Sequence, residues 1–255
     1  EWRMMFISPM LAAAMPDSKK DKITYENGYV LEAKHDGMRA VASRQKDVEI
    51  YSRVGKLYAE HVPKIVAEIE KLPEGTILDG ELMVSNGMAD IMGKEVPIPD
   101  FNMTMRVMGS NPDVAIEKQD DVQMNYYVYD LLWYDGEDLT SKSFEERSKM
   151  LREHIEPKTN ILIAPEWGTW GEEDLIALMD AGIEGAILKN KDSVYTPGKR
   201  RANTWYKVKS EKTADVVVTG FTDANEGKTG RWLGKIGAVR YGAYNAAGEL
   251  VDVGQ

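Results

Sequence analysis

The sequence predicts an α+β fold, because short segments rich in β-branched and aromatic residues alternate with amphipathic helical patterns. The strand-like segments follow one another closely, which favours antiparallel sheets flanked by helices around a cleft. After residue 210 the helical patterns stop, and the composition becomes that of a small β-barrel. We therefore expect two domains, at residues 1–210 and 211–255.

The strands predicted in the first domain are apolar runs containing Val, Ile and Tyr. They lie at residues 29–33, 38–43, 48–52, 76–84, 124–132, 161–164 and 185–189. Three helices are predicted between them. The first covers residues 60–72, and the second begins at Ser143, which has the capping-box spacing to Glu146. The third covers residues 172–181 and ends at Gly182, because glycine tolerates the left-handed conformation that closes many helices.

The second domain is predicted to consist of strands. Residues 213–221 and 235–244 alternate between apolar and polar side chains, and a glycine-rich segment at 225–234 separates them. Residues 251–255 resemble the middle of another strand. We therefore expect an incomplete β-barrel over this part of the chain.

Composition excludes several classes of protein. The 255 residues are 43% hydrophobic, enough to fill a core, but no run of about 18 apolar residues exists and we expect no membrane span. The apolar stretch at residues 4–15 contains Pro9 and follows Glu1 instead of a basic segment, so we expect no signal peptide. The absence of cysteine excludes disulfides and thiolate nucleophiles and is compatible with a reducing compartment.

The formal charge of −10 is distributed unevenly. Residues 186–212 contain eight basic side chains and only two acidic ones. A local basic stripe can follow nucleic-acid phosphates, although a solvated loop explains the same composition. The basic residues are Lys189, Lys191, Lys199, Arg200, Arg201, Lys207, Lys209 and Lys212.

The segment at residues 32–39 contains the candidate nucleophile. It sets Lys34 beside Asp36, Gly37 and Arg39 in a strand-like context. A free lysine, with a pKa of about 10.4, is protonated at neutral pH and needs nearby cations or burial to react. A half-exposed strand that ends in an Asp-Gly turn explains the segment equally well. The remaining motifs must therefore decide between the two interpretations.

Two further segments place acidic residues within apolar strands. Asp79 and Glu81 flank Gly80, and Glu184 precedes Gly185. A carboxylate in such a strand needs a partner, because an unpaired buried charge is costly. If these carboxylates point into a cleft, they can hold a hydrated Mg²⁺, which prefers oxygen ligands.

Lys207 and Lys209 are expected on one face of a strand, because strand side chains alternate with a period of two. Two ammonium groups on the same face are suited to bind a phosphate group. Residues 126–130 offer an aromatic ring that can stack on a base, although a tyrosine-rich strand is more often part of a core.

Six short elements, in this order, resemble the motifs of the covalent nucleotidyltransferase superfamily and specifically of ATP-dependent DNA ligases. They are Lys-x-Asp-Gly-x-Arg at residues 34–39, Ser-Arg-x-Gly at 52–55, Asp-Gly-Glu at 79–81, an aromatic strand ending in Asp at 126–130, Glu-Gly at 184–185 and Lys-x-Lys at 207–209. The resemblance extends from about residue 9 to residue 221. The Ser-Arg-x-Gly element and the segment at 135–139 distinguish DNA ligases from capping enzymes.

The resemblance implies a three-step reaction. Lys34 would attack the α-phosphate of ATP, release pyrophosphate and form a lysyl-AMP phosphoramidate. Lys207 and Lys209 would bind that phosphate and, with Arg39 and Mg²⁺, favour the deprotonated amine. AMP would pass to the 5′-phosphate of a nick, and the 3′-hydroxyl would then displace it and seal the strand.

The resemblance also implies the metal and sugar contacts. Glu184, with Asp79 or Glu81, would hold Mg²⁺, and Glu81 could instead accept a hydrogen bond from a ribose hydroxyl. Arg39 and Arg53 would contact ribose and phosphate and later the 5′-phosphate of the nick.

For adenine, the resemblance favours Tyr126 as the stacking residue, with Tyr129 as second choice, while the strand around Glu32 and Ala33 reads the base edge. The full nucleotide-binding set implied is Glu32, Ala33, Lys34, Arg39, Arg53, Glu81, Tyr126, Glu184, Lys207 and Lys209.

On this resemblance, residues 1–210 form an adenylation (nucleotidyltransferase) domain and residues 211–255 an incomplete OB-fold. The last basic motif of such OB-folds is not found before Gln255. We expect a small bacterial or phage type of ligase that acts on nicked double-stranded DNA in replication, repair or recombination. A cytoplasmic monomer is expected, in a bacterium or a phage-infected host cell.

Two alternatives stay open at this point. An RNA ligase or a GTP-dependent RNA-capping enzyme shares the superfamily and its motifs. A non-catalytic nucleic-acid-binding module would use the basic stripe and the β-barrel without needing Lys34.

Overall fold

A computed structural model of the chain describes residues 6–209, 216–223, 236–245 and 247–254. The chain forms two compact units, Glu1–Ser210 and Glu211–Gln255, so the division falls at the residue where the composition changes. Within the described ranges, no helix is both long and apolar enough to cross a membrane.

Strands outnumber helices in the described part of the first unit. The strands are β1 (Ala13–Ala14), β2 (Tyr29–Lys34), β3 (Met38–Arg44), β4 (Val48–Ser52), β5 (Thr76–Ile91), β6 (Lys94–Asp100), β7 (Met124–Tyr134), β8 (Glu137–Asp138), β9 (Ile161–Ile163), β10 (Glu166–Trp167), β11 (Gly185–Asn190) and β12 (Trp205–Lys209). The helices are α1 (Pro63–Ile69), α2 (Phe101–Met108), α3 (Pro112–Lys118), α4 (Phe144–His154) and α5 (Glu172–Asp180). The predicted α+β class is confirmed.

A five-stranded sheet carries one wall of the unit, in the order β1-β12-β11-β2-β10. Its pairs are antiparallel except for β1 and β12. Strand β2 lies between β11 and β10, and its first five residues are buried. Leu31 and Ala33 pack with Leu178 of α5 on the outer face, and Val30 faces the other sheet.

A seven-stranded sheet forms the opposite wall. Its path is β4-β3-β5-β7-β8, with β6 beside β5 and β9 parallel to β7. Its outer face is buried under α1 to α4, where Ile65, Val107, Ala115 and Leu151 contribute to the largest apolar cluster. Burial of that face fixes the orientation of every side chain along β3, β5 and β7.

The two sheets share a smaller core at one end. Val30 and Trp205 from the five-stranded sheet pack there with Val41, Ile77 and Leu132 from the seven-stranded sheet. Beyond this shared core the sheets line a cleft, which the next section describes.

Several predicted boundaries are confirmed. Ser143 caps α4, since its hydroxyl accepts from Glu146 N at 3.2 Å and the Glu146 carboxylate accepts from Ser143 N at 2.8 Å. Gly182 follows α5 with a φ of +87°. The first helix is shorter than predicted, because Pro63, which lacks an N–H, occupies its first turn.

The second unit contains three antiparallel strands among its described residues. They are β13 (Val217–Asp223), β14 (Ile236–Tyr244) and β15 (Leu250–Gly254), in that spatial order. The predicted glycine-rich segment at residues 225–234 lies outside the described residues. The assignment of this unit to an OB-fold stays a prediction.

Candidate active site

A cavity of about 550 Å³ lies between the two sheets of the first unit. Residues of β2, β11 and β12 line one wall, and residues of β3, β5 and β7 line the other. Lys34 lies at the last position of β2, on this cavity. We refer to the cavity as the cleft.

The five-stranded sheet presents its cleft residues as three rows across β12, β11 and β2. Pairing in register places residues side by side, and alternate residues along each strand share a face. The first row is Lys209, Gly185 and Lys34; the second is Lys207, Ile187 and Glu32; the third is Trp205, Lys189 and Val30. The prediction that Lys207 and Lys209 share a face is confirmed.

Glu184 joins the two lysines of the first row. One of its carboxylate oxygens accepts a hydrogen bond from Lys34 Nζ, and the other accepts from Lys209 Nζ. Partial burial raises the pKa of this carboxyl, but the hydrogen bonds from Lys209 and Lys34 outweigh it and lower the pKa overall. The same contact raises the pKa of Lys209. Glu184 therefore stays ionised and holds both ammonium groups at one point of the cleft.

Gly185 makes the close pairing of the first row possible. A Cβ at this position would lie 2.0 Å from the backbone oxygen of Val208 and 2.9 Å from Cα of Lys209. A larger residue would push β12 away from β11. The Glu-Gly element thus combines a carboxylate that binds two lysines with a close contact between strands that needs glycine.

Glu32 and Lys189 form a second ion pair deeper in the cleft. Lys189 Nζ lies 2.8 Å from Glu32 Oε2 and also donates to the backbone oxygen of Tyr129 at 3.2 Å. The ammonium group lies 4.3 Å from the ring centroid of Trp205. Burial raises the pKa of Glu32 to about 7, although the charge of Lys189 opposes that rise.

The other carboxylate oxygen of Glu32, Oε1, is buried and has no hydrogen-bond partner among the described residues. A buried acceptor without a partner is costly unless a ligand supplies a donor. Glu32 lines the cleft, so this unpartnered oxygen lies in the wall of the cleft.

The opposite wall contributes a fixed arginine. Arg39 donates from Nε to Asp79 Oδ1 at 2.7 Å and from Nη2 to Asp79 Oδ2 at 2.6 Å. Its guanidinium lies 4.9 Å from the ring centroid of Tyr129. Burial favours the neutral guanidine, but Asp79 overrides this and raises the pKa of Arg39 further above its usual value. Arg39 is therefore a permanent positive charge facing the first sheet.

Glu81 lies on the same wall, two residues beyond Asp79 on β5. Burial raises the pKa of its carboxyl to about 7, while Arg39 and Lys34 oppose the rise. The Tyr129 hydroxyl donates to Glu81 Oε2 at 3.4 Å. A carboxyl with this pKa changes protonation near neutral pH, and it lies on the wall opposite Lys34.

Most of the predicted site residues line the cleft together. They are Glu32, Ala33, Lys34, Arg39, Arg53, Glu81, Lys207 and Lys209. Glu184 joins them through Lys34 and Lys209. The sequence interpretation missed Lys189 and also Asp36, whose pKa is raised by burial and by Glu184. Because side chains alternate along β11, Lys189 shares a face with Gly185, and this pattern could have predicted its position in the cleft.

The choice of Tyr126 as the stacking residue is wrong. Its side chain is fully buried in the core under the seven-stranded sheet, and its hydroxyl donates to the backbone oxygens of Ala40 and Leu78, each at 3.0 Å. The second choice, Tyr129, lines the cleft. The side chains of β7 alternate between its two faces as expected. The sequence does not show which face packs against the helices and which lines the cleft.

The assignment of Asp79 to a metal is also corrected. The side chain has no solvent exposure, and its oxygens accept hydrogen bonds from Arg39 and from the Tyr195 hydroxyl. No group of three or more His, Asp or Glu side chains suited to a metal occurs in the described part of the chain. Glu81 and Glu184 stay the candidates.

The basic stripe separates into two parts in the structure. Lys189 is buried against Glu32, so it is not a surface cation. Arg200 lines the cleft together with Lys207 and Lys209, whereas Lys199 and Arg201 are exposed. Lys212 lies outside the described residues.

Comparison with known proteins agrees with this site. The family model described as "ATP dependent DNA ligase domain" matches residues 9–209, which include both walls of the cleft. The chain belongs to the family of ATP-dependent DNA ligase domains. The resemblance inferred from the six motifs is thereby confirmed.

Named relatives extend the comparison. The chain is 30% identical over 258 residues to the DNA ligase of Thermococcus fumicolans, covering 98% of this chain and 44% of that protein. It is 27% identical to the SPbeta prophage-derived DNA ligase-like protein LigB of Bacillus subtilis, covering 86% of this chain and 73% of that protein. The chain spans less than half the length of the first curated relatives that it matches.

The fold is similar to that of a mycobacterial DNA ligase D solved in complex with ATP and MES. The TM-score is 0.63 at 24% identity, covering 97% of this chain and 71% of that one. The nucleotidyltransferase fold predicted from the motifs is confirmed by this similarity.

Proposed function

We propose that this chain is the catalytic part of an ATP-dependent DNA ligase that seals nicks in duplex DNA. The observation that carries the proposal is the position of Lys34. It lies at the end of a buried strand, in a cleft where Lys207 and Lys209 occupy one wall and Arg39 the other. Such a ring of positive charge stabilises the negative charge that develops when an amine attacks a phosphate.

In the first step, the neutral Nζ of Lys34 attacks the α-phosphorus of ATP. A nitrogen–phosphorus bond forms, the bond to the pyrophosphate oxygen breaks, and pyrophosphate leaves with the bonding pair. Lys34 donates to Glu184, so this contact must loosen before the nitrogen attacks.

Adenine fits the deep end of the cleft. The unpartnered Oε1 of Glu32 can accept a hydrogen bond from the 6-amino group of the base. Ile187 lies between Glu32 and Lys207 in the second row and offers an apolar surface to the base. Tyr129 replaces Tyr126 as the aromatic residue of the opposite wall.

Glu81 and Glu184 are suited to hold Mg²⁺, because both offer carboxylate oxygens and both interact electrostatically with Lys34. Mg²⁺ commonly uses one or two protein carboxylates and keeps several waters. When bound, it supplies positive charge that neutralises the phosphates.

The later steps act on DNA. The 5′-phosphate at the nick attacks the adenylated lysine and takes the AMP, and the 3′-hydroxyl then attacks that phosphate and releases AMP. Arg53 and Arg200 line the cleft where they can contact the DNA phosphate. We infer that the partner is nicked double-stranded DNA and that the protein acts as a cytoplasmic monomer.

Incubation with α-labelled ATP and Mg²⁺ tests the proposal. The wild-type protein should acquire covalent AMP, and Lys34→Ala should acquire none. Lys149→Ala, which removes an exposed lysine on α4, is the matched control and should label normally. A wild-type protein without label contradicts the proposal.

A chase of the labelled protein identifies the acceptor. Nicked duplex DNA should remove the label and yield a sealed strand, whereas nicked duplex RNA should not. Preference for GTP over ATP, or for RNA over DNA, would favour a capping enzyme or RNA ligase instead.

A further inference from the structure

Tyr195 lies in the connection between β11 and β12 and makes two hydrogen bonds through one hydroxyl. The O–H donates to Asp79 Oδ2 at 2.7 Å, and the oxygen accepts from the backbone N–H of Met10 at 2.9 Å. Only 3% of Tyr195 is exposed. Tyr195 is not among the residues that line the cleft.

The acceptor of this hydroxyl, Asp79, is the residue that orients Arg39. Asp79 accepts from Nε and Nη2 of Arg39, and Nη2 also donates to the backbone oxygen of Met10 at 3.2 Å. The third nitrogen of the guanidinium, Nη1, has no hydrogen-bond partner among the residues that the structure describes. Because Arg39 lines the cleft, Nη1 is the nitrogen left for a ligand.

Tyr195 and Arg39 thus share both of their partners. Each makes one hydrogen bond to the backbone of Met10 and at least one to Asp79. A carboxylate held by one guanidinium alone can rotate with it, whereas a third donor from another direction fixes the plane of the carboxylate. The closed arrangement leaves the guanidinium one orientation.

We propose that Tyr195 is a positioning residue for catalysis, which acts through Asp79 to aim Arg39 at the nucleotide in the cleft. The inference rests on the proposed function, because the ligand that Arg39 meets is taken to be the ATP of the lysine-adenylation step. It assigns Asp79 to the same positioning network and not to the metal.

The ring of Tyr195 has a separate, structural role. It lies 5.9 Å from the ring of Trp205 and 5.6 Å from the guanidinium of Arg147, within the core shared by the two sheets. Burial and the charge of Asp79 raise the pKa of its phenol well above the usual value, so the hydroxyl stays a donor. Tyr195→Phe removes the hydroxyl and keeps this packing.

Tyr126→Phe is the matched control. Tyr126 is also a fully buried tyrosine, and its hydroxyl donates to the backbone oxygens of Ala40 and Leu78, on the strands that carry Arg39 and Asp79. That hydroxyl makes no hydrogen bond to the Arg39 side chain or the Asp79 carboxylate, although the charges of both groups act on the Tyr126 pKa. Tyr195→Phe removes one donated and one accepted hydrogen bond, whereas Tyr126→Phe removes one donor that two backbone oxygens share. Only the Tyr195 hydroxyl donates to the Asp79 carboxylate.

The experiment measures the rate of AMP transfer to Lys34 against ATP concentration in Tyr195→Phe, Tyr126→Phe, Arg39→Ala and the double variant Tyr195→Phe/Arg39→Ala. Thermal unfolding of each variant is recorded in parallel. Equilibrium binding of ATP without Mg²⁺, measured by calorimetry, reads the contact with Arg39 without the chemistry.

Tyr195→Phe should need about tenfold more ATP for half-maximal labelling and bind ATP about tenfold more weakly, the scale expected for a hydrogen bond to a charged group. Tyr126→Phe should unfold at a lower temperature yet keep the wild-type ATP requirement. In the Arg39→Ala background, Tyr195→Phe should cause less than a twofold further change.

An unchanged ATP requirement and unchanged ATP binding in Tyr195→Phe would overturn the inference. So would an equal effect of Tyr126→Phe, or a full effect of Tyr195→Phe in the Arg39→Ala background. If the wild-type protein binds ATP but never labels Lys34, the proposed function fails, and the binding data alone decide the role of Tyr195.

Discussion

Glu32 and Lys189 form an ion pair with 2.8 Å between Oε2 and Nζ, although their side chains are only 3% and 1% exposed. Lys189 does not pair in register with Glu32; its backbone partner on β2 is Val30, one row deeper in the cleft. The lysine side chain therefore reaches from the third row to the carboxylate of the second row. It leaves one oxygen of Glu32 without a partner among the described residues.

We expect Lys189→Met to lower the free energy of unfolding by about 3 kcal/mol, because it leaves the Glu32 carboxylate buried and unpaired. The loss should be smaller at pH 5 than at pH 8, since a carboxyl with a raised pKa is protonated at the lower pH. Urea denaturation at both pH values measures it.

Lys191→Met is the control for this variant. Lys191 is partly exposed, and its Nζ lies 3.5 Å from Glu145 Oε1, so the change should be below about 0.5 kcal/mol. Equal losses of unfolding free energy in Lys189→Met and Lys191→Met would show that the buried Glu32–Lys189 pair stabilises the protein no more than the exposed pair does.

Glu81 should make stability depend on pH. Its pKa is about 7 in the folded protein against a reference value of 4.5, so the folded state keeps the proton that the unfolded chain loses. The contribution of Glu81 is therefore fully present below pH 4.5 and is lost as the pH rises to about 7. The slope is at most about 1.4 kcal/mol per pH unit.

Glu81→Gln should remove that slope, so its stability relative to the wild type should rise between pH 5 and pH 7.5. Glu70→Gln changes an exposed acid next to α1 and should follow the wild-type profile. Denaturant melts across the pH range test both. Parallel profiles for Glu81→Gln and the wild type would mean that the carboxyl titrates normally.

Gly185→Ala should disrupt the contact of β11 with β12, because the added Cβ meets the Val208 oxygen at 2.0 Å. We expect a loss of about 1–3 kcal/mol in unfolding free energy, together with slower labelling of Lys34. Gly168→Ala, where no atom lies within 4 Å of the added Cβ, should change neither. Normal labelling of Lys34 in Gly185→Ala would show that the spacing between Lys34 and Lys209 does not control the labelling rate.

Glu184→Gln should raise the Mg²⁺ concentration needed for half-maximal labelling by about tenfold, the lower end of the effect of perturbing a metal site. Asp180→Asn, an exposed acid at the end of α5, should leave that concentration unchanged. Titration of Mg²⁺ at saturating ATP measures both. If the Mg²⁺ requirement of Glu184→Gln is unchanged, Glu184 does not bind the metal and only pairs with Lys34 and Lys209.

The sequence predicts the local parts of the site well, because they depend on short-range rules. The alternation of side chains places Lys207 and Lys209 together, and the apolar run before Lys34 predicts the buried strand that carries it. The spacing of Ser143 and Glu146 predicts the start of α4. Each of these predictions uses residues that are neighbours along the chain.

The partners of buried groups could not be predicted in this way, because they come from distant parts of the chain. Asp79 meets Arg39 and Tyr195, so it is not free for the metal that the Asp-Gly-Glu pattern suggested. Tyr126 and Tyr129 are both plausible in a tyrosine-rich strand, and only the packing of α1 to α4 shows which face is the core.

The rows of side chains across the five-stranded sheet limit the insertions and deletions that its strands can tolerate. Alternate residues of β11 serve two purposes, since Ile187 and Lys189 face the cleft while Ala186 and Leu188 fill the core against α5. A one-residue insertion or deletion in that strand would exchange the two sets, placing Ala186 and Leu188 on the cleft and Lys189 in the apolar core against α5. Length variation should therefore be tolerated only in the connecting loops, so β2, β11 and β12 behave as fixed-length elements.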